Sequence, residues 1–354
     1  MPNATLTRAI DALASGSDLS ADEASAVLEQ IMHGEVSETQ IAAFLIALRT
    51  KGETVQELTG LARTMRALAV HVATARDDLL DTAGTGGGRS TFNVSTTAAL
   101  IAAGAGCAVA KHGNRSATSS SGSADVLEAL GARIDLSPEA VASCIDEAGF
   151  GFMFAPAHHQ ATRFVVPVRR ELAVRTIFNL LGPLTNPAGA RRQVIGVSDP
   201  NHMEIIAGAL AQLGAERALV VVGADGLDEL SIAAPTHVFE VNGSDISRYE
   251  ISPEQVGVTP CEDAQFQREC AGGTPQHNAT VTSAILRGEA AERPAATELA
   301  VINAGAAIYA AQRADSIAAG TEAARAALAD GGAAEALDRY VRATVERAPA
   351  EAPL

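Results

Sequence analysis

Short apolar runs, each followed by a turn and a helical segment, recur from about Asp77 to Val222, and this alternation limits the possible folds more than any other feature of the chain. The first cycle is an apolar piece ending at Asp81, a glycine-rich turn, a helix predicted over 93–103 and a buried-type strand over 107–110, together a βαβ unit. The second runs through helices at 125–130 and 138–148, a strand at 194–197, a helix at 203–213 and a strand at 219–222. Such alternation predicts a mainly parallel sheet covered by helices. Residues 236–241 and 246–251 flank Asn242-Gly243, the favoured type I′ hairpin sequence, so an antiparallel edge is expected. Ala-rich helices close the chain, and residues 347–354 read as a frayed tail.

The first seventy residues obey a different rule. Ser20/Glu23, Ser37/Gln40 and Thr54/Glu57 each match a capping box, in which hydroxyl and carboxyl or amide satisfy orphan backbone donors at a helix start. Gly34 and Gly52 stand where the preceding helices should stop. Ile41, Phe44, Leu45 and Leu48 share one helix face. A small antiparallel helical bundle is expected.

Composition narrows the class. With 354 residues, 47% hydrophobic and 19% charged, the chain can bury a large core. A net charge of −16 repels nucleic acid and acidic membrane surfaces, so an anionic ligand must be drawn in by a local concentration of donors. Cys107, Cys144, Cys261 and Cys270 are scattered without a CxxC pair and read as thiols in a reducing compartment. The start carries Asp11 and Asp18 and lacks a signal pattern, and the longest apolar run, 98–110, is too short and Gly-rich to span a bilayer. A soluble cytoplasmic protein is expected.

Three loops at strand ends could carry chemistry. Gly84-Thr85-Gly86-Gly87-Gly88-Arg89-Ser90-Thr91 opens a helix just after a strand, where backbone N–H groups and the helix dipole favour an anion. It matches neither a Walker A loop nor the dinucleotide fingerprint. Glycines alone serve equally as a tight turn; the hydroxyls of Thr91, Ser95 and Thr96 tilt the reading to a phosphate cradle. One unit later, Lys111-His112-Gly113-Asn114-Arg115-Ser116 and the residues to Ser123 pack two cations, a histidine, an amide and six hydroxyls into thirteen positions. Both loops should leave the carboxyl edge of adjacent parallel strands, where open α/β sheets bind ligands. There Lys111 and Arg115 would supply charge, Asn114 an orienting amide, and Ser119 and Ser123 hydroxyls to phosphate. A solvated polar loop is the plainer alternative. Asp225-Gly226-Leu227-Asp228-Glu229 follows another strand; facing a polyphosphate, its carboxylates suit Mg²⁺. The stretch 152–187 mixes apolar residues with Arg163, Arg169, Arg170, Arg175, His158 and His159, fitting a pocket for a flat acid, a connector, or both.

With these motifs in order, the chain resembles the anthranilate phosphoribosyltransferase family of tryptophan biosynthesis, from Leu6 to near Ala343. The landmarks are the 111–116 motif with Gly122-Ser123-Ala124-Asp125, Phe154-Ala155-Pro156 with His159, the run 175–187, and Asp225 to Glu229. The resemblance implies a nucleoside phosphorylase/phosphoribosyltransferase-like fold. A helical subdomain over 1–72, completed by helices around 166–190, would be hinged to an α/β domain over 73–354 with a central, mainly parallel sheet, in a homodimer paired through the helical part. It implies phosphoribosyl pyrophosphate (PRPP) held by Gly84, Gly87, Gly88, Thr91, Asn93, Val94, Ser95, Thr96, Lys111, Asn114, Arg115, Ser119 and Ser123. Mg²⁺ would be held by Ser95, Asp228 and Glu229, and anthranilate would meet Asn114, Arg169, His112, His159 and Pro183, with Lys111, His112 and Arg115 as the groups nearest the chemistry.

The family usually carries an acid after the glycines. Here Gly88-Arg89-Ser90 is one residue shorter and lacks it, so Arg89 is expected to add a cation for the pyrophosphate. Ala173 stands where the family commonly has Gly, and Gln160 where it has Pro. An aromatic amine is neutral at pH 7, so catalysis should rest on positioning and on neutralising the leaving diphosphate rather than on a nucleophilic side chain. A pyrimidine nucleoside phosphorylase would use the same loops for phosphate, but would lack Asn114 with Arg169 and would carry an extra C-terminal domain.

Overall fold

The computed structural model describes residues 2–116 and 120–348. Helices α1 (Ala4–Ala14), α2 (Ala21–Met32), α3 (Glu38–Lys51) and α4 (Val55–Ala67) form the N-terminal bundle. Ser20/Glu23 and Thr54/Glu57 make complete capping boxes. The third pair is split: the Ser37 hydroxyl accepts from Gln40 N, but the Gln40 amide accepts from Asn3 N at 2.9 Å and donates to Asn3 O at 3.1 Å. Gln40 thus staples the start of α1 onto α3, and only the hydroxyl half of the box is made. Gly34 and Gly52 sit at φ +75° and +93°, at the helix ends where sequence placed them.

The rest of the chain alternates: β1 (Leu79–Asp81), α5 (Val94–Gly104), β2 (Ala108–Gly113), α6 (Ser123–Ala129), α7 (Pro138–Ala148), β3 (Phe150–Phe154), then short helices α8 (Ala155–His158), α9 (Val166–Leu172) and α10 (Phe178–Leu181). It continues with β4 (Arg192–Gly196), α11 (Met203–Gln212), β5 (Arg217–Gly223), β6 (Thr236–Asn242), β7 (Asp245–Ile251), α12 (Asp263–Cys270), α13 (Pro275–Leu286), α14 (Pro294–Ala310), α15 (Ile317–Ala329) and α16 (Gly332–Arg347). Among the described residues seven strands form one sheet in the order β3-β2-β1-β4-β5-β6-β7. β1 to β5 are parallel, and β6 and β7 are antiparallel.

That order reverses direction between β1 and β4, and a crevice opens at such a reversal, outside the carboxyl ends of the strands. Alternate residues of β4 and β5 feed two cores. Val194, Leu219 and Val221 pack with α5, α14 and Tyr340, whose ring meets Phe150 edge-on at 4.6 Å between centroids. Ile195 and Val220 pack with Ile206 and Leu210 of α11, and this apolar layer runs on into Leu28, Phe44 and Leu45 of the bundle and Val168 and Leu181 of the short helices. The half-buried Arg66 of α4 reinforces that contact, its Nε donating to Leu184 O at 2.6 Å and its Nη1 to Leu213 O at 3.3 Å.

Three local expectations are corrected. The polar motif beginning at Lys111 is not loop throughout, because β2 extends to Gly113 and pairs with β3. Strand β3, Phe150–Phe154, takes up the start of a stretch, 152–187, read as pocket or connector. In the hairpin Asn242 pairs with Asp245, so Gly243-Ser244 is the turn; Gly243 alone has positive φ, +61°, which fits type II′ rather than I′.

Ala173, after α9, adopts φ 51° and ψ 27°. A Cβ makes this left-handed conformation unfavourable by about 1 kcal/mol, and glycine does not carry that strain. Ala173→Gly is expected to raise stability by up to about 1 kcal/mol, less the extra entropy of an unfolded glycine; urea unfolding with unchanged m-value is the check.

Candidate active site at the strand ends

The turn after β1 is drawn across to β4. Gly84 bridges Gly196, and Thr85 N donates to Gly196 O at 2.9 Å. Gly87 has φ +92°, and a Cβ there would stand 1.5 Å from Arg175 Nη2; a Cβ on Gly88 would stand 2.3 Å from Asp228 Oδ1. Both positions therefore need glycine. Arg175 donates to Gly86 O at 3.2 Å and Ser198 Oγ at 2.7 Å, while Arg49 of α3 donates to Arg175 O at 2.8 Å. Arg175 was read as part of the mixed segment 152–187 and as the start of the landmark run 175–187, without a role of its own. Its link to the glycine turn spans 89 residues, which no local pattern discloses.

Asp228 and Glu229 reach the same place from the end of β5. The Gly88 N–H donates to Asp228, and Ser95 N donates to Glu229 Oε1 at 3.0 Å. The Thr91 hydroxyl also reaches Glu229. Glu229 Oε2 is shut off from solvent with no partner among the described residues. Burial pushes the Glu229 carboxyl well above the carboxylate range, with the neighbouring charge of Asp228 adding to it; burial pushes Asp228 up as well. Two desolvated like-charged carboxylates and an orphan oxygen beside the hydroxyl of Ser95 are a donor set that fits a hard divalent cation.

Lys111, 2% exposed, lies at the carboxyl end of β2. Its Nζ donates to Thr82 O at 2.7 Å and Thr82 Oγ1 at 3.0 Å, with Ser95 Oγ at 3.4 Å. Burial pushes the ammonium down to about 8 against the pull of Asp81 and Glu229. Asp81, which sequence reading used only to mark a strand end, is fully buried and organises this corner. It accepts from His112 N at 3.1 Å and Asn186 Nδ2 at 2.8 Å, and burial pushes it up to about 6.

Asn93 starts α5 at φ 67°. Its amide is occupied, donating to Ser121 O at 3.0 Å and accepting from Ser121 Oγ at 2.9 Å and Asn278 Nδ2 at 2.7 Å. Its side chain therefore shapes the turn. Val94 and Thr96 are buried in α5, and the Thr96 hydroxyl has no partner among the described residues. Ser123 begins α6 and donates to Asn114 O at 3.3 Å. Ser119 lies outside the described residues.

Two arginines point elsewhere. Arg115 is exposed and pairs with Asp125 at 2.7 Å and Glu128 at 2.5 Å on α6. Arg89, expected to serve a pyrophosphate, pairs with Asp225 at 2.8 Å and Asp263 at 2.5 Å and lies over the Phe266 ring. Arg89 is thus paired with two carboxylates in this structure rather than standing free.

His112 and His159 face each other with ring centroids 5.1 Å apart. His112 Nδ1 lies 3.2 Å from Gly182 O, and neither Nε2 has a partner among the described residues. Burial pushes His112 down to about 3 and His159 down to about 4, so both rings are neutral. Pro183 is buried beside them, its carbonyl accepting from Gln193 Nε2 at 2.8 Å. Arg169 is partly buried and held over Phe178, its centroid 5.4 Å away. A histidine depressed in the folded state gives stability that is present above pH 6.5 and lost as pH falls toward the folded value. Between pH 7 and pH 5 wild type should therefore lose about 2 kcal/mol more unfolding free energy than His159→Gln. The raised carboxylates act with opposite sign in both proteins and cancel in the difference, which urea unfolding measures.

Comparison with known proteins shows the family. Residues 7–69 match the helical bundle domain of the glycosyl transferase family, and residues 76–334 match its a/b domain. The anthranilate phosphoribosyltransferase of Rubrobacter xylanophilus is 53% identical over 95% of this chain and 97% of its own length. The chain belongs to the anthranilate phosphoribosyltransferase family. Among solved members, the Thermus thermophilus anthranilate phosphoribosyltransferase superposes with a TM-score of 0.89 at 44% identity, covering 95% of this chain and 99% of that one. The Saccharomyces cerevisiae anthranilate phosphoribosyltransferase in complex with PRPP and Mg gives 0.87 at 26% identity, covering 97% and 99%. The same yeast protein with 4-fluoroanthranilate gives 0.85 at 25%, covering 97% and 98%.

Proposed function

We infer that the chain transfers the phosphoribosyl group of PRPP to the amine of anthranilate, releasing pyrophosphate, in tryptophan biosynthesis. One observation carries this reading: at the β1/β4 reversal, glycine backbone, the Lys111 ammonium and the Asp228–Glu229 pair converge on one crevice of a strongly acidic molecule.

Ser95, Asp228 and Glu229 would hold Mg²⁺. The bound ion would offset the charge of the leaving pyrophosphate and polarise its oxygens. The chain's own residues do the rest. The glycine turn offers backbone donors, the start of α5 adds a favourable dipole, and Lys111 holds a positive charge at the strand end. Gly84, Gly87, Gly88, Thr91 and Ser123 line the approach for the diphosphate and ribose. Arg115, tied to Asp125 and Glu128, orients the end of its loop.

Anthranilate lies on the other side of β2, among His112, His159, Pro183, Asn114 and Arg169. Neutral imidazoles whose Nε2 atoms have no partner among the described residues suit an amine, and the partly desolvated Arg169 guanidinium suits a carboxylate. The amine attacks C1 as pyrophosphate departs, with inversion, and its proton is lost only as the new C–N bond forms. Two copies would pair through the helical bundle, as the family resemblance implies. Among the described residues no helix is long and apolar enough to cross a membrane.

The test is direct. Purified protein mixed with PRPP, Mg²⁺ and anthranilate should extinguish anthranilate fluorescence only when all three are present. Phosphorolysis of thymidine or uridine without anthranilate consumption would overturn the reading.

A further inference from the structure

The glycine turn is held at both ends, and the second hold is built by Arg89. Residues 84–88 carry little side-chain packing of their own, and Gly86 and Gly87 sit at φ +64° and +92°, so the turn is entropically expensive to order. Its entry is pinned by Thr85 N on Gly196 O and by Arg175 on Gly86 O. At its exit the Arg89 guanidinium spans two carboxylates on different elements, Nη1 to Asp225 Oδ2 at 2.8 Å and Nη2 to Asp263 Oδ1 at 2.5 Å. Its Cζ lies 4.2 Å from the centroid of the buried Phe266 ring of α12. The Arg89 side chain is only 18% exposed. Asp225 is itself fixed, accepting from Ser231 Oγ at 3.0 Å and capping Leu227 N at 3.4 Å. It therefore shapes the same turn that delivers Asp228 and Glu229.

We propose that Arg89 is a positioning residue for PRPP, a latch that joins the glycine turn to the Asp225–Glu229 turn and to α12. It also pairs with Asp225, so that Asp228 and Glu229 are the carboxylates left facing the crevice. This rests on the PRPP reading of the crevice. Its gain is preorganisation: the turn stands in its binding conformation before the diphosphate arrives. Arg89 touches no substrate in this role, and its effect falls on PRPP affinity rather than on the chemical step.

The experiment titrates Mg²⁺ and PRPP into the whole protein by calorimetry without anthranilate, and pairs this with steady-state kinetics, for wild type, Arg89→Ala, Arg89→Lys, Asp263→Asn and the Arg89→Ala/Asp263→Asn double variant. Asp263 is 70% exposed, so its variant folds even if Arg89→Ala does not. Arg89→Ala should weaken PRPP about tenfold, with kcat within about threefold and the anthranilate KM unchanged. Asp263→Asn should shift PRPP affinity in the same direction, the double variant should be no worse than Arg89→Ala, and Arg89→Lys should recover part of the loss. If Asp263→Asn binds PRPP as tightly as wild type or tighter while Arg89→Ala binds weakly, Arg89 is a ligand of the diphosphate and the latch is overturned. Unchanged affinity in Arg89→Ala overturns it too. A wild type that neither binds PRPP nor consumes anthranilate overturns the site reading itself, which the other outcomes leave standing.

Discussion

Glu229→Gln is expected to make the metal-free protein more stable and its turnover about 10²–10³ slower. Both effects have one cause. Glu229 is held beside Asp228 with Oε2 unpaired among the described residues, and its carboxyl is pushed well above the usual range by burial. A group whose folded value is raised gives stability that is present at low pH and lost as pH rises through that value. Glutamine keeps the shape and the acceptor for Ser95 N and removes the charge, so the variant escapes that loss. The gain, about 1–3 kcal/mol, should therefore be larger at pH 8 than at pH 5. Mg²⁺ with PRPP should reverse the order, because wild type then gains a cation for its charge and the variant does not. Urea unfolding at both pH values, with and without the two ligands, alongside kcat, tests the whole claim. A variant that is less stable at pH 8 without metal, or that turns over normally, defeats the assignment of Glu229 as a metal carboxylate.

What sequence disclosed and what it hid divide along the same physical line. Helix starts were legible because a capping box joins residues only three positions apart, as Ser20/Glu23 and Thr54/Glu57 bear out. Gln40 escaped because its amide bonds with Asn3, 37 residues away. Strand β3 escaped because Phe150-Gly151-Phe152-Met153-Phe154 is apolar on both faces and runs straight into Ala155-Pro156, leaving neither alternation nor a turn signal. Lys111 and His112 look like loop residues by polarity, yet pairing with Phe152 and Met153 makes them strand. The strand-end loops were legible as a set because alternation fixes which end of each strand they leave. Which loop residues face the crevice was not: Arg89 and Arg115 are spent on nearby acids, and Asp81, Arg175 and Asn186 matter through partners 31 or more residues away. Charge compensation is a property of tertiary neighbours, and a single sequence does not list them.

Lys111 yields the other large effect, and two substitutions separate its parts. Lys111→Met, similar in length and apolar, should fold and lose about 10²–10³ in kcat; Lys111→Ala should lose that and be about 2–5 kcal/mol less stable than Lys111→Met. Both variants take away the ammonium that faces Asp81 across a fully buried corner; the alanine variant also opens a cavity. The methionine variant fills the space, so against the alanine variant it isolates the lost charge from the cavity. Titration gives an independent reading of the same ammonium. Burial brings its folded value down to about 8 from 10.5, so the unfolded chain binds more protons between those values. Stability contributed by this group therefore rises with pH across that window, and wild type should gain about 3 kcal/mol relative to Lys111→Met between pH 7.5 and 10.5. Activity should move the other way: the positive charge that steadies the diphosphate is lost above pH 8, giving wild type a basic limb in kcat/KM near that value. A stability difference that is flat with pH, or near-normal turnover in Lys111→Met, would mean that this buried ammonium merely props up the strand end and that the backbone donors of the glycine turn carry the diphosphate without it.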